Sequence, residues 1–147
     1  MRAFVIHDAI ANIALMLDNG DNRFLHQLGL NSMHYRVLQL LKQQQGQRLV
    51  DLATALLCER STITRIIDRL EQAGLVQRQA DADDRRSQRV ILTPEGGALY
   101  DRVALLYNES LDRRLHVLNE KEQLQLVELL EKLQNSLRAD LSQSNDT

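Results

Sequence analysis

Between Ile63 and Glu95 the apolar residues change their period twice, and that order narrows the folds open to the chain. Ile63, Ile66, Ile67 and Leu70 repeat at helical spacing, and Gly74 stops the pattern. Leu75-Val76-Gln77-Arg78-Gln79 and Arg89-Val90-Ile91-Leu92 then flank a polar tip rich in Asp and Arg, the pattern of a β-hairpin. Thr93-Pro94-Glu95 restores a helix, with a capping hydroxyl, a proline in the first turn and an acid facing the helix dipole.

The segments on either side are helical. Leu49, Leu52, Ala53 and Leu56 give a short helix, and after the break Leu57-Cys58-Glu59-Arg60 the pair Ser61/Thr62 is placed to cap the next. Two short helices with complementary stripes and a tight break predict a helix-turn-helix. Before them, Asn31 or Ser32 caps a helix carrying Val37, Leu40 and Leu41, which Gln43-Gln44-Gln45-Gly46 closes. Ile6, Ala9, Ile10, Ile13 and Leu17 predict a first helix from Ala3 to Leu17, ended by Asn19-Gly20-Asp21-Asn22. After the hairpin, Leu99, Val103, Leu106, Ser110 and Leu111 share a helix face. Asn119 with Glu122 forms a capping box for a last helix carrying Leu126, Leu129, Leu130, Leu133, Leu137 and Leu141. The polar tail from Ser142 to Thr147 is expected to fray.

The predicted fold is mostly α with a small β-hairpin wing. A winged helix-turn-helix over residues 31–93 is flanked by helices at 3–17 and 94–141. The flanking stripes exceed what one small module can cover, and pairing with a second copy is their simplest use.

Composition sets outer limits. At 147 residues the chain fits one domain or a small module with helical extensions, and with 44% hydrophobic residues it can bury a core. Only 3% are aromatic and none is Trp, so aliphatic side chains must build that core. No apolar run approaches the roughly 20 residues that span a bilayer. The opening Met1-Arg2-Ala3-Phe4-Val5-Ile6-His7-Asp8 meets a carboxylate too early for a signal peptide, so a cytoplasmic chain without a membrane partner is expected. One cysteine, Cys58, excludes an intramolecular disulfide and a multi-cysteine metal site. His7, His26, His34 and His116 follow no metal-ligand spacing. No nucleophile, base and orienting group appear as a motif, so neither a cofactor nor an enzyme is expected. Cys58 lies near Arg60 and a helix start, where a lowered thiol pKa would permit an oxidation switch. A buried small side chain is the plainer reading.

Bulk charge, at −2, does not announce a nucleic-acid partner, but its distribution is uneven. Residues 60–89 hold seven arginines against five acids, a net +2 that leaves −4 for the remainder. Only three basic residues in the chain are lysines, so the positive charge comes as planar forks suited to phosphates and base edges. A genome-wide preference for Arg accounts equally for that usage.

On the helix that starts near Ser61, the face opposite the Ile/Leu stripe carries Ser61, Thr62, Arg65, Arg69 and Gln72. Its N-terminal turn favours phosphates, and Arg65 can reach guanine O6 and N7 with two hydrogen bonds. The bland reading is a solvated helix face. The hairpin tip, Asp81-Ala82-Asp83-Asp84-Arg85-Arg86-Ser87-Gln88-Arg89, suits a wing that lays an arginine into a narrow minor groove. Asp84, two residues before Arg86, is placed to orient its guanidinium by a bidentate pair. Here the bland reading is a salt-bridged turn.

The run Asp84-Arg85-Arg86-Ser87-Gln88-Arg89-Val90-Ile91-Leu92-Thr93 resembles the wing signature D-x-R-x-x-x-V-x-L-T of the MarR (multiple-antibiotic-resistance regulator) family. Leu70-Glu71-Gln72-Ala73-Gly74-Leu75-Val76-Gln77-Arg78 is similar to that family's L-E-x-x-G-L-[VI]-x-R. Leu52-Ala53 and Thr64-Arg65 fall at its L-A and T-R pairs, and Pro94-Glu95-Gly96 completes the L-T-x-x-G ending. The likeness is detailed from about Leu30 to Gly96.

The resemblance implies a transcriptional regulator, more often a repressor, that binds a pseudo-palindrome of double-stranded DNA as a homodimer through its terminal helices. It implies Ser61, Thr62, Thr64 and Arg65 at the major groove. Arg86 would be the minor-groove arginine braced by Asp84, Arg85 a second contact, and Ser32 and Arg36 phosphate contacts. Family members often bind small lipophilic or phenolic anions between the DNA-binding lobe and the dimer helices, so such an effector is an expectation. Two departures stand out. The family often has Thr or Ser capping the third helix, where this chain has Gln47-Arg48, and redox-sensing members carry a first-helix cysteine that this chain lacks. A winged helix that serves protein interaction, or a constitutive antisilencing DNA binder, is the alternative.

Overall fold

The computed structural model describes residues 1–144. They form α1 (Arg2–His26), α2 (Ser32–Gln43), β1 (Gln47–Arg48), α3 (Leu49–Ala55), α4 (Arg60–Gln72), β2 (Val76–Ala80), β3 (Gln88–Leu92), α5 (Pro94–Leu115) and α6 (Glu120–Ser144). The described chain divides into two compact units that meet after Tyr107. No helix among the described residues is long and apolar enough to cross a membrane.

The core of the first unit follows the stripes. Ile63, Ile67 and Leu70 of α4 are buried with Val37, Leu38 and Leu41 of α2 and Leu52 of α3. Each such side chain contributes about 1.5–3 kcal/mol of burial. Val76, Val90 and Leu92 carry that core onto the sheet. Four of the five aromatic residues gather at one corner. Phe24 stacks on Tyr107 at 5.9 Å, and Tyr35 contacts Tyr100 at 5.6 Å and Tyr107 at 5.0 Å.

The hairpin lies where the pattern places it, with β2 and β3 antiparallel and Val76 opposite Leu92. A third strand, β1, joins its other edge in the order β1-β3-β2, with Gln47 opposite Val90. Side chains extend that edge: Gln45 Oε1 accepts from the Leu92 N–H at 2.9 Å, and Arg89 donates to the Gly46 carbonyl at 2.7 Å.

Three expected boundaries move. α1 does not stop at Leu17 but continues through the Asn-Gly-Asp-Asn run to His26. Gly20 inside a helix costs about 1 kcal/mol relative to Ala. Side-chain bonds offset it: within the helix Asn22 donates to Asp18 at 3.2 Å, and from outside it the Ser32 hydroxyl donates to Asp18 at 2.7 Å and the Ser32 N–H donates to Asn22 Oδ1 at 2.8 Å. The extension also buries Leu25 completely. α4 begins at Arg60, not after a Ser61/Thr62 cap, because the Glu59 carbonyl already accepts from Thr62 and Ile63. α6 runs past Leu141 to Ser144, so the tail expected to fray is helical that far, and its last residues, 145–147, lie outside the described residues.

Other ends match their signals. Asn31, rather than Ser32, caps α2: its side chain accepts from the His34 N–H at 2.8 Å, and His34 Nδ1 accepts from the Asn31 N–H at 3.2 Å. α3 has no side-chain cap at Arg48. Thr93 Oγ accepts from the Gly96 N–H at 3.0 Å and donates to the Gly74 carbonyl at 2.6 Å, tying the start of α5 to the end of α4. Gly96 is required there, since a Cβ would lie 1.9 Å from the Leu75 carbonyl oxygen. Asn119 and Glu122 exchange the two bonds of a capping box before α6.

Candidate nucleic-acid interface

The hairpin tip is shaped by its acids. Asp81, only 5% exposed, accepts from the Asp83 N–H at 3.0 Å and the Ser87 hydroxyl at 3.1 Å, and pairs with Arg89 at 3.1 Å. The Asp83 amide bond, with help from Arg89 and Ser87, holds the Asp81 carboxyl below its usual range. Asp84 accepts from the Arg86 N–H at 2.9 Å. It therefore shapes the turn through the backbone and does not form the expected bidentate pair with the Arg86 guanidinium.

Three of the five acids in this segment, Asp68, Glu71 and Asp81, are spent on internal ion pairs with only two of its seven arginines. Arg78 is clamped by Asp68 and Glu71. Arg89 is held by Asp81 and Gly46. Arg60, Arg65, Arg69, Arg85 and Arg86 are all exposed, and none has a side-chain hydrogen bond or ion pair among the described residues.

Three of those five do not stand alone. A cleft of about 390 Å³ between the wing tip and the starts of α3 and α4 is lined by Arg48, Arg60, Arg85 and Arg86, with Leu49, Val50, Ser87 and Gln88. Arg48 and Arg60 are functional candidates that sequence reasoning missed. Each sits at a helix N-terminus, where a cation opposes the dipole by about 0.3–1 kcal/mol. Arg48 is partly compensated by Asp51 at 3.0 Å, whereas Arg60 is not paired among the described residues. An unfavourable charge at a helix start was the available signal, since such local violations collect at functional sites.

The remaining expected residues are dispersed. Ser61 and Arg65 are exposed on α4, while Thr62 and Thr64 are half-buried. The Thr64 hydroxyl donates back to the Arg60 carbonyl at 2.9 Å. Arg36 is exposed on α2, and the Ser32 hydroxyl is committed to Asp18. Arg69 lies apart from the wing, lining a second cavity with His26 and His34. Cys58 is half-buried against the core. The described residues contain no group of three or more potential metal-binding side chains.

Comparison with known proteins places this arrangement. Residues 30–88 match the MarR family model. The transcriptional regulator BldR from Sulfolobus solfataricus is similar at 26% identity and a TM-score of 0.83, covering 94% of this chain and 96% of its own. The transcriptional regulator SlyA is 28% identical, with a TM-score of 0.82 over 92% of this chain and 95% of its own. A cysteine-to-serine mutant of MarR from E. coli, solved in complex with operator DNA, is 25% identical, with a TM-score of 0.81 over 90% of this chain and 95% of its own. The matched segment spans the helix-turn-helix and most of the wing, and the likeness in fold extends over nearly the whole chain. On these grounds residues 30–88 carry a MarR family domain, and the fold of nearly the whole chain is similar to that of MarR-family transcriptional regulators.

Proposed function

We propose that this chain binds double-stranded DNA as a homodimer and represses transcription from a pseudo-palindromic operator. The observation that carries the reading is the set of unpaired arginines, Arg60, Arg85 and Arg86, converging on one cleft beside the start of α4. Phosphates are the natural counter-charge for such a cleft. In this reading residues 31–93 are the DNA-reading lobe. Ser61, Thr62, Thr64 and Arg65 face the major groove, Arg86 enters the minor groove, and Arg85, Arg69 and Arg36 contact the backbone or groove edge, while Ser32, whose hydroxyl and N–H both donate within the chain, holds the start of α2 instead. Asp84 serves by holding the turn that presents Arg86.

The terminal helices, at 3–17 and 94–141, are the dimerisation elements. Phe4, Ile6 and Ile13 of α1 are 68%, 50% and 56% exposed in the single chain, and α6 has no buried residue at all. Apolar faces of that extent call for a partner, and a second copy supplies a self-complementary one. The solved operator complex of the E. coli relative supports DNA as the ligand class.

The test is a salt-titrated binding measurement on DNA upstream of this protein's own coding sequence, with sedimentation to count chains. Tight binding by a dimer, falling steeply with salt, is expected. Binding no tighter than to random DNA would overturn the operator assignment. A small lipophilic or phenolic effector completes the reading by favouring a lobe spacing that no longer matches DNA. Saturating panels of such anions that leave DNA affinity unchanged would remove that element.

A further inference from the structure

Asp81 is the only buried carboxylate among the described residues, and it stands where β2 gives way to the wing tip. A buried carboxylate is costly unless its oxygens find donors. Both do. Oδ1 accepts from the Asp83 N–H at 3.0 Å, and Oδ2 accepts from the Ser87 hydroxyl at 3.1 Å and pairs with Arg89 Nε at 3.1 Å. The Asp81 N–H donates to the Ser87 carbonyl at 3.2 Å, so the main chain and side chain of one residue close the tip together. Arg89 in turn donates to the Gly46 carbonyl at 2.7 Å, on the connection that leads into β1 and α3. Asp81 thus joins the tip to the hairpin stem and, through Arg89, to the segment that carries Arg48.

Arg85 and Arg86 lie inside the loop that these bonds close, and neither side chain has a partner among the described residues to fix its place. Asp84 accepts from the Arg86 N–H, and its carbonyl accepts from the Ser87 N–H at 3.1 Å. Both of those bonds stay within the tip and leave its orientation on the lobe unset. Charge alone argues the other way for Asp81. The Arg48 pKa is raised by Asp51 first, with further contributions from Asp81 and Asp84, so the carboxylate is close enough to the basic cleft to repel a phosphate there.

We propose that Asp81 is a positioning residue for DNA binding: without touching DNA, its buried carboxylate fixes the wing tip in the orientation that delivers Arg85 and Arg86 to the double helix. The proposal rests on the DNA-binding reading of the wing. It adds a residue that lies ahead of the wing signature, which begins at Asp84.

The test has two arms. The first uses the DNA-free full chain and follows the backbone amides of residues 82–88 by nitrogen-relaxation NMR. In the parent the tip is expected to be as rigid as β2 and β3. Asp81→Ala is expected to loosen the tip alone, with the strand amides and the thermal midpoint little changed. A tip equally rigid in Asp81→Ala overturns the proposal.

The second arm measures affinity for duplex DNA from upstream of this protein's own coding sequence, at one salt concentration. Asp81→Ala is expected to bind about tenfold more weakly or worse, because DNA must then order the tip, and fixing a single residue's backbone already costs about that factor. In an Arg85→Ala/Arg86→Ala background the same substitution is expected to cost nothing further, since the carboxylate acts through those side chains. Equal or tighter binding by Asp81→Ala is the result for an acid that merely repels phosphate, and it overturns the proposal. A loss of the same size in the arginine-free background marks a general structural fault and overturns it too. Should Asp81→Ala unfold, Asp81→Asn keeps an acceptor for the Asp83 N–H but not the Arg89 pair, and carries both arms with the same expected signs. If Arg85→Ala/Arg86→Ala itself binds like the parent, the DNA-binding reading of the wing falls and takes the proposal with it. If that variant binds weakly while Asp81→Ala binds like the parent, the proposal falls alone.

Discussion

Asp84 and Arg86 meet through the backbone: the carboxylate accepts the Arg86 N–H at 2.9 Å and leaves the guanidinium free. An amide oxygen can accept that bond as well as a carboxylate. Asp84→Asn is therefore expected to bind DNA within about twofold of the parent, while Asp84→Ala loses the turn bond, worth about 0.5–1.5 kcal/mol, and binds more weakly. Equal losses in the two variants, measured by anisotropy, would restore charge pairing as the role of Asp84.

Arg65 stands exposed on α4 with no partner to satisfy it among the described residues. Arg65→Ala is expected to cost about 1–3 kcal/mol in operator binding and to relax preference at one base pair. The check is affinity across a panel of single-base operator variants. A loss equal on every sequence would make Arg65 a phosphate contact instead.

Leu57 forms the turn between α3 and α4 with a left-handed φ of 51° and a side chain 78% exposed. A branched residue there costs about 1–2 kcal/mol, of which glycine's extra unfolded-state freedom returns about 0.5–1. Leu57→Gly is thus expected to stabilise the fold by about 0.5–1 kcal/mol. Denaturant unfolding with an unchanged slope reads the gain, and a loss of stability would mean that the exposed leucine has a packing partner.

His34 gives a pH dependence. Its pKa is held below the ordinary 6.5 by burial first, then by Arg69 and His26, and its Nδ1 must stay unprotonated to accept from Asn31. Its contribution to stability is therefore complete above about 6.5 and lost as pH falls through the depressed folded value. Thermal unfolding is expected to show that decline in the parent and a flatter profile in His34→Gln. Parallel profiles would place the titrating group elsewhere.

How much of this was legible in the sequence depends on the range of the interactions. The hairpin, the α4 stripe, the Gly74 stop and the Thr93 start rest on neighbouring residues, and all lie where the period changes. β1 is two residues long, too short for any period, and exists because β3 offers an edge. The Asn19–Asn22 run has the local signature of a turn, but Ser32 supplies bonds that keep it helical. At the interface, Arg65, Arg85 and Arg86 stood out by residue type and position in a motif. Arg48 and Arg60 did not, because their cleft forms only when the wing folds beside two helix starts. The gathering of Arg69 with His26 and His34 is likewise a product of packing between distant segments.

The measurement closest to the central claim is fluorescence anisotropy on DNA from immediately upstream of this protein's own coding sequence, at two salt concentrations, for the parent and Arg86→Ala. The account predicts tight binding that weakens steeply with salt and falls at least about tenfold in Arg86→Ala, with unfolding unchanged. Equal affinity of parent and variant at both salts would contradict it, because a wing arginine with no protein partner would then have no DNA partner either.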